Sequence, residues 1–225
     1  LCHDFNKSGI KLVLDGVFSH TGSDSIYFNR YGRYPGIGAY QSKESAYYPW
    51  FNFIDYPNTY ASWWGFDNLP ELIKENEDYT NYVCSQEDGV LKFWQDLGAG
   101  GWRLDVADEL PDVFIDRLRE SIKATDPEAL IIGEVWEDAT NKFSYGGRRR
   151  YLLGQQLDSV MNYPWRTAII DLLKGQDTKL FKNRIIDLIS NYPQPALDTL
   201  MNLLSTHDTA RITTCLALDV DSFKH

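Results

Sequence analysis

Hydrophobic and polar positions alternate in two different rhythms along this chain. From Lys11 to Val17 the residues are apolar and β-branched, broken only by Asp15, which predicts a strand buried on both faces. Similar short runs recur at GWRLDVADE (101–109), ALIIGEVW (129–136), more weakly LDSVMN (157–162), and TLMNLLSTHD (199–208). Between them the apolar spacing is helical. Val83, Val90, Leu91, Trp94 and Leu97 share a face that ends at Gly98, Gly100 and Gly101, and Phe114, Leu118 and Ile122 follow a first-turn proline at Pro111. Trp165, Ile169 and Leu172 form another stripe, as do Phe181, Ile185 and Leu188. Residues 1–8 read as the end of a helix, with Gly9 as its C-terminal cap. Strands alternating with helices predict a parallel α/β fold. One stretch breaks the rhythm. From about Ser19 to Thr80 the chain is rich in Gly, Pro, Asn, Tyr and Trp, too long for a simple connection, and reads as a functional excursion or small subdomain.

Composition narrows the class. The 225 residues are 43% hydrophobic, ample for a core in one large domain or two small ones. A net charge of −10 argues against a nucleic-acid partner, since neutralising phosphates needs an excess of Lys and Arg on one face. The basic cluster Arg148, Arg149 and Arg150 reads as a solvated loop. No apolar run approaches the roughly 18 residues of a membrane-spanning helix, so no membrane partner is expected. Cys2, Cys84 and Cys215 show neither disulfide nor metal-ligand spacing. The 7 Trp, 14 Tyr and 11 Phe suit a core, and also a cleft that stacks flat rings on sugar C–H faces. The sequence assigns neither a compartment nor an oligomeric state.

Charge placement adds chemistry. Arg103 and Asp105 lie two apart in the GWRLDVADE run and so project to one side, where the guanidinium favours an ionised carboxylate. Taken alone, the pair reads as a structural ion pair. Asp15, Glu134 and the pair His207 and Asp208 also fall near the C-terminal ends of separate predicted strands. In a (β/α)₈ TIM barrel that end carries the active site, and the long excursion leaves from the same rim. A doubly wound sheet also gathers such residues, so placement favours the barrel without deciding it.

Four segments, LDGVFSH (14–20), GWRLDVADE (101–109), IIGEVWED (131–138) and LLSTHD (203–208), occur in the order of signature regions in the α-amylase family of glycoside hydrolases. The chain resembles that family along nearly its whole length. The resemblance implies a (β/α)₈ barrel, incomplete here, with the five predicted strands matching strands 3 to 7 and strands 1, 2 and 8 missing. It divides the chain into a barrel segment at 1–18 (end of helix 2 and strand 3), a domain-B-like excursion at 19–80, and a second barrel segment at 81–225. The sequence thus looks like a partial catalytic domain.

The resemblance also implies roles. Asp105 is the nucleophile of a retaining mechanism, Glu134 the general acid and base, and Asp208 the carboxylate that stabilises the oxocarbenium-like transition state. Such a mechanism needs two carboxyls about 5 to 5.5 Å apart, one ionised and one protonated. Arg103 supports the ionised state, and the apolar neighbours of Glu134 suit the protonated one. His20 and His207 match histidines that hold substrate hydroxyls, and Asp15 is a supporting residue that braces Arg103 or the site floor. No cofactor is implied. A structural Ca²⁺ is a family feature, but Ser19 stands where many members have a calcium-binding asparagine, and a hydroxyl is a poor substitute for an amide carbonyl.

Val106 to Glu109, Val-Ala-Asp-Glu, resembles the Val-Ala-Asn-Glu of neopullulanases and cyclomaltodextrinases, which cleave α-1,4 and often α-1,6 links in pullulan, cyclodextrins and short glucans. Within the excursion, NLPEL (68–72) resembles that subgroup's MPKLN, with Glu71 for Lys and Ile73 for the final Asn. An α-glucan is the expected partner, and transglycosylation an expected side reaction. A catalytically inactive, transporter-associated relative is one alternative, although such subunits lack the triad present here. A metal-dependent hydrolase using Asp15, His20 and His207 is another, and it predicts loss of activity with chelator. With strands missing, the 225-residue piece is expected to be inactive alone; strong glucan hydrolysis by the isolated piece would show that the strand count is wrong.

Overall fold

The computed structural model describes residues 1–217. The chain divides into two compact units, with the boundary between Ile131 and Ile132. In the first, helix α1 (Cys2–Lys7) ends at Ser8, and Gly9 takes the left-handed φ of +73° that follows many helix ends. Strand β1 (Val13–Gly16) leads into the excursion, which contains a 3-10 turn at Tyr48–Trp50, a small antiparallel hairpin of β2 (Phe53–Asp55) and β3 (Thr59–Tyr60), and a second 3-10 turn at Trp63–Gly65. Helices α2 (Glu77–Cys84) and α3 (Val90–Asp96) follow, then β4 (Gly101–Leu104), α4 (Asp112–Thr125) and β5 (Leu130–Gly133).

Strands β1 and β4 pair in parallel, with Asp15 opposite Arg103. Beside β4, the Leu130 amide at the start of β5 donates to the Gly100 carbonyl. Gly101 permits this approach, because a Cβ there would fall 2.4 Å from the Leu130 carbonyl oxygen. Phe114, Ile115, Leu118 and Ile122 of α4 are fully buried and centre the core of this unit. The excursion has an aromatic core of its own, in which Phe28 packs edge-on against Phe51 and Tyr60.

Three expectations change in this unit. The first strand is shorter than Lys11 to Val17 and is not buried on both faces, since Val13 and Asp15 are exposed. Among the described residues it pairs on one side only, with β4, which leaves its other edge uncovered. The single helix expected from Tyr82 to Leu97 is two. Asn76 caps α2 by accepting the Tyr79 amide, and Gly89 folds so closely onto Ser85 that a Cβ would lie 2.5 Å from its carbonyl oxygen. Trp94 and Leu97 are accordingly exposed, and α3 buries Leu91 and Gln95 instead. Pro111 precedes α4 as its N-cap and does not occupy the first turn.

In the second unit, Ile132 and Gly133 of β5 pair in parallel with β8 (Ser159–Val160), after a small hairpin of β6 (Phe143–Ser144) and β7 (Gly147–Arg148). Helices α5 (Tyr163–Leu173), α6 (Thr178–Asn191), α7 (Gln194–Asp198) and α8 (Ile212–Cys215) complete the described elements. The two predicted stripes meet where α5 packs on α6, with Trp165 6.5 Å from Phe181 between ring centroids. TLMNLLSTHD does not form the expected fifth strand. It makes one parallel bridge, Met201 opposite Met161, after which side chains of Ser205, Thr206 and Thr209 take up backbone amides and turn the chain into a loop. The arginine cluster is not wholly solvated either. Arg149 is buried, its guanidinium 4.5 Å over the Tyr151 ring and donating to the Ser144 hydroxyl, as a planar, weakly hydrated cation allows.

Leu118→Ala is expected to lower stability by about 2 to 5 kcal/mol through the cavity it opens, against less than about 0.5 kcal/mol for Val113→Ala on the exposed face of the same helix. Urea unfolding midpoints of the two variants measure the difference.

Candidate active site

In the first unit the site is built where β1 and β4 end. Their parallel register sets Asp15 beside Arg103, and the Arg103 guanidinium donates from the same nitrogen to Asp15 Oδ1 at 2.7 Å and Asp105 Oδ1 at 2.6 Å. Both bonds are charge-assisted; Arg103 is 9% exposed and Asp105 nearly as well covered, whereas Asp15 faces solvent. The Asp105 amide donates to the Gly16 carbonyl, continuing the β1–β4 pairing by one residue. Immediately after, Val106 takes a left-handed conformation at φ 38°, ψ 61°. That is a strained conformation for a β-branched residue, and it turns the chain sharply into a 3-10 turn at Ala107–Glu109.

His20 lies in the same unit. Its ring shares a hydrogen bond of 2.9 Å between Nδ1 and the buried Ser19 hydroxyl, and packs 5.1 Å from Trp63. Burial lowers its pKa below the usual 6.5, a shift that Asp105 and Glu71 oppose and Lys74 reinforces. Among the described residues no group of three or more His, Cys, Asp or Glu is placed to hold a metal ion. Trp64, exposed and at φ 50°, donates its indole N–H to Glu109 Oε1 at 3.3 Å. Burial pushes the Glu109 carboxyl above its usual range, against the opposing pull of that hydrogen bond. A cleft of about 420 Å³ in this unit is lined by Phe18, Trp50, Phe93 and Trp94 and reaches the site only through His20.

In the second unit Glu134 follows β5 and is 4% exposed, next to the fully buried Val135. The Trp136 indole N–H donates to Glu134 Oε1 at 2.9 Å. The same indole stacks on Tyr163 with centroids 4.2 Å apart and planes 9° from parallel. Trp136, Glu137, Thr167, Arg184 and Asp187 line a cleft of about 370 Å³. His207 and Asp208 form a separate grouping on the loop after the Met201 bridge, with His207 Nε2 3.2 Å from Asp208 Oδ2. The predicted residues therefore fall into an Asp15–Arg103–Asp105 cluster with His20 nearby, a buried Glu134, and an exposed His207–Asp208 pair. Sequence reasoning passed over Trp136 and Tyr163. The Glu-x-Trp spacing was visible just past a strand, but nothing in the sequence pairs residue 136 with residue 163.

Two parallel strand pairings ending in carboxylates, with an aromatic-rich excursion leaving the first, define the α/β-barrel class of enzyme scaffold. The chain matches the α-amylase catalytic domain over residues 1–224 and belongs to that family. It is 40% identical to an amylopullulanase of Thermoanaerobacterium thermosulfurigenes over 95% of its own length and 13% of that protein. It is 33% identical to neopullulanase 2 of Thermoactinomyces vulgaris over 96% of its length and 35% of the relative. Its fold superposes on the cyclic α-maltosyl-(1→6)-maltose hydrolase of Arthrobacter globiformis with a TM-score of 0.83 at 26% identity, covering 98% of this chain and 48% of that one. The chain thus spans 13% and 35% of the first two relatives and about half of the third, and its structure is a parallel α/β barrel fragment.

The depressed His20 value has a consequence for stability. The folded protein binds fewer protons here than the unfolded chain, so the stabilisation is complete above pH 6.5 and is lost as the pH falls below it. His20→Asn is expected to reduce the drop in the denaturation midpoint between about pH 7.5 and about pH 5. An unchanged drop would show that the ring is not held neutral by the fold.

Proposed function

We propose that the protein containing this chain is a retaining glycoside hydrolase that cleaves α-1,4 and also α-1,6 glucosidic bonds in pullulan, cyclodextrins and related short glucans. The observation that carries this reading is the Asp105 carboxylate, bonded at 2.6 Å to a buried Arg103 whose same nitrogen also bonds Asp15, in the segment that resembles the family's nucleophile region. A carboxylate ion-paired and fixed in this way suits attack on an anomeric carbon.

In this reading Asp105 attacks C1 while Glu134 gives its proton to the departing oxygen, and a covalent glycosyl-enzyme forms. Glu134 then accepts a proton from water as the water oxygen bonds to C1 and the C1–Asp105 bond breaks. Asp208 stabilises positive charge at the anomeric centre, and His20 and His207 hold sugar hydroxyls. A sugar hydroxyl competes with water for the same intermediate, so transglycosylation accompanies hydrolysis. The relatives' names, amylopullulanase and neopullulanase, and the Val-Ala-Asp-Glu tail support the substrate class. No metal enters any step. The inactive-subunit reading is the weaker one, because Asp105, Glu134 and Asp208 are all present.

Glu134→Gln in the full-length protein is expected to reduce turnover of pullulan and β-cyclodextrin by at least ~10³ while binding is largely kept. Reducing-sugar release measures this. Unchanged turnover would overturn the assignment.

A further inference from the structure

We infer that Trp136 is a positioning residue for the proton transfer, its indole N–H selecting which oxygen of Glu134 carries the proton. The inference rests on the acid role of Glu134 proposed above. An indole N–H donates and never accepts, so Glu134 Oε1, 2.9 Å away, is the acceptor in both protonation states. In a neutral carboxyl the carbonyl oxygen is the better acceptor. The bond therefore favours the form with its hydroxyl on Oε2 and its carbonyl at Oε1.

The donor is itself held in place. The Trp136 ring stacks on Tyr163, which is buried at the start of α5. That helix end is fixed in turn, since Asn162 Oδ1 accepts the Trp165 amide and Asn162 Nδ2 donates to Asn202 Oδ1. Trp136 is half exposed, yet its polar edge is turned onto a carboxyl that is 4% exposed. An indole kept only for packing on Tyr163 would not need its N–H directed there.

The step balances as follows. The Oε2 proton passes to the glycosidic oxygen as the C1–O bond breaks, C1 bonds to an Asp105 oxygen, and the leaving chain departs with a new hydroxyl. Oε1 keeps its bond to Trp136 throughout, so this donor has no reorganisation to make. In the second step Oε2 takes a proton from water as the water oxygen bonds to C1 and the C1–Asp105 bond breaks, which frees the Asp105 carboxylate and restores the starting tautomer. Loss of the indole N–H lets the proton populate the unproductive oxygen, which slows only those reactions that need the proton.

The test uses Trp136→Phe in the full-length protein, which keeps a ring on Tyr163 and removes the N–H. Two substrates are compared: maltohexaose, whose departing sugar oxygen must be protonated, and α-maltosyl fluoride, whose departing fluoride needs little help. We expect kcat/KM on maltohexaose to fall roughly tenfold through kcat, the kinetic equivalent of one well-aligned hydrogen bond, with KM nearly unchanged, and kcat/KM for the fluoride to stay within about twofold of the parent. Equal losses on both substrates would assign Trp136 to structure. A raised KM with unchanged kcat would assign it to sugar binding, and no change on either substrate would leave it without a role; each of these overturns the proposal. Glu134→Ala is measured alongside. A large loss on maltohexaose that the fluoride escapes upholds the acid role, so that a failure of Trp136→Phe then falls on the positioning inference alone. Both comparisons are made on kcat/KM, which reports the first step alone, because the second step needs Glu134 as a base for either substrate; equal loss of kcat/KM on both substrates for Glu134→Ala overturns the acid role itself, and the inference with it.

Discussion

A buried guanidinium must be compensated, and in this protein Arg103 is compensated by two carboxylates. Taking a cation out of water costs several kcal/mol unless its hydrogen bonds are replaced with good geometry. Here the replacement comes from two strands, Asp15 on β1 and Asp105 just past β4, each within 2.7 Å of the same nitrogen. The arrangement requires the register that sets Asp15 opposite Arg103, and a slip of one residue would turn Asp15 to the other face. The ion pairs, the strand register and the placement of Asp105 are therefore one constraint. The left-handed Val106 belongs to it as well, since the chain turns away as soon as Asp105 is in place.

Aromatic rings hold what the strands do not. The excursion after β1 has almost no regular structure, yet Phe28 is buried against Phe51 and Tyr60, and Trp50 against Tyr27 and Tyr79. Flat rings meeting edge to face let a segment rich in turns keep a fixed shape without a hydrogen-bonded ladder. Trp63 packs on the His20 ring, and the Ser19 hydroxyl bonds the same imidazole at Nδ1. In the second unit, the stack of Trp136 on Tyr163 is what holds the indole N–H on Glu134. In both places a polar group next to the candidate chemistry is oriented through an apolar contact, which fixes direction without adding charge.

The sequence by itself determined the family, the parallel α/β character and the identity of the charged groups. Buried strands and helical stripes are read from periods of 2 and 3.6, and α4 follows its stripe closely because Phe114, Leu118 and Ile122 all enter the core. Arg103 beside Asp105 was legible for a similar reason, as two residues apart at a strand end project to the same side. Where turn chemistry within a few residues decides, the longer periodic pattern fell short. The helix expected from Tyr82 to Leu97 is interrupted because Gly89 closes onto Ser85, and the last run is reduced to one bridge because side chains of Ser205, Thr206 and Thr209 compete for its backbone amides. Only the tertiary structure decided that Asp15 shares Arg103 with Asp105 across 88 residues, that Arg149 stacks on Tyr151 away from solvent, and that Trp136 meets Tyr163 and turns its N–H onto Glu134. These are meetings of residues far apart in the chain or turned by their surroundings, and no local period encodes them.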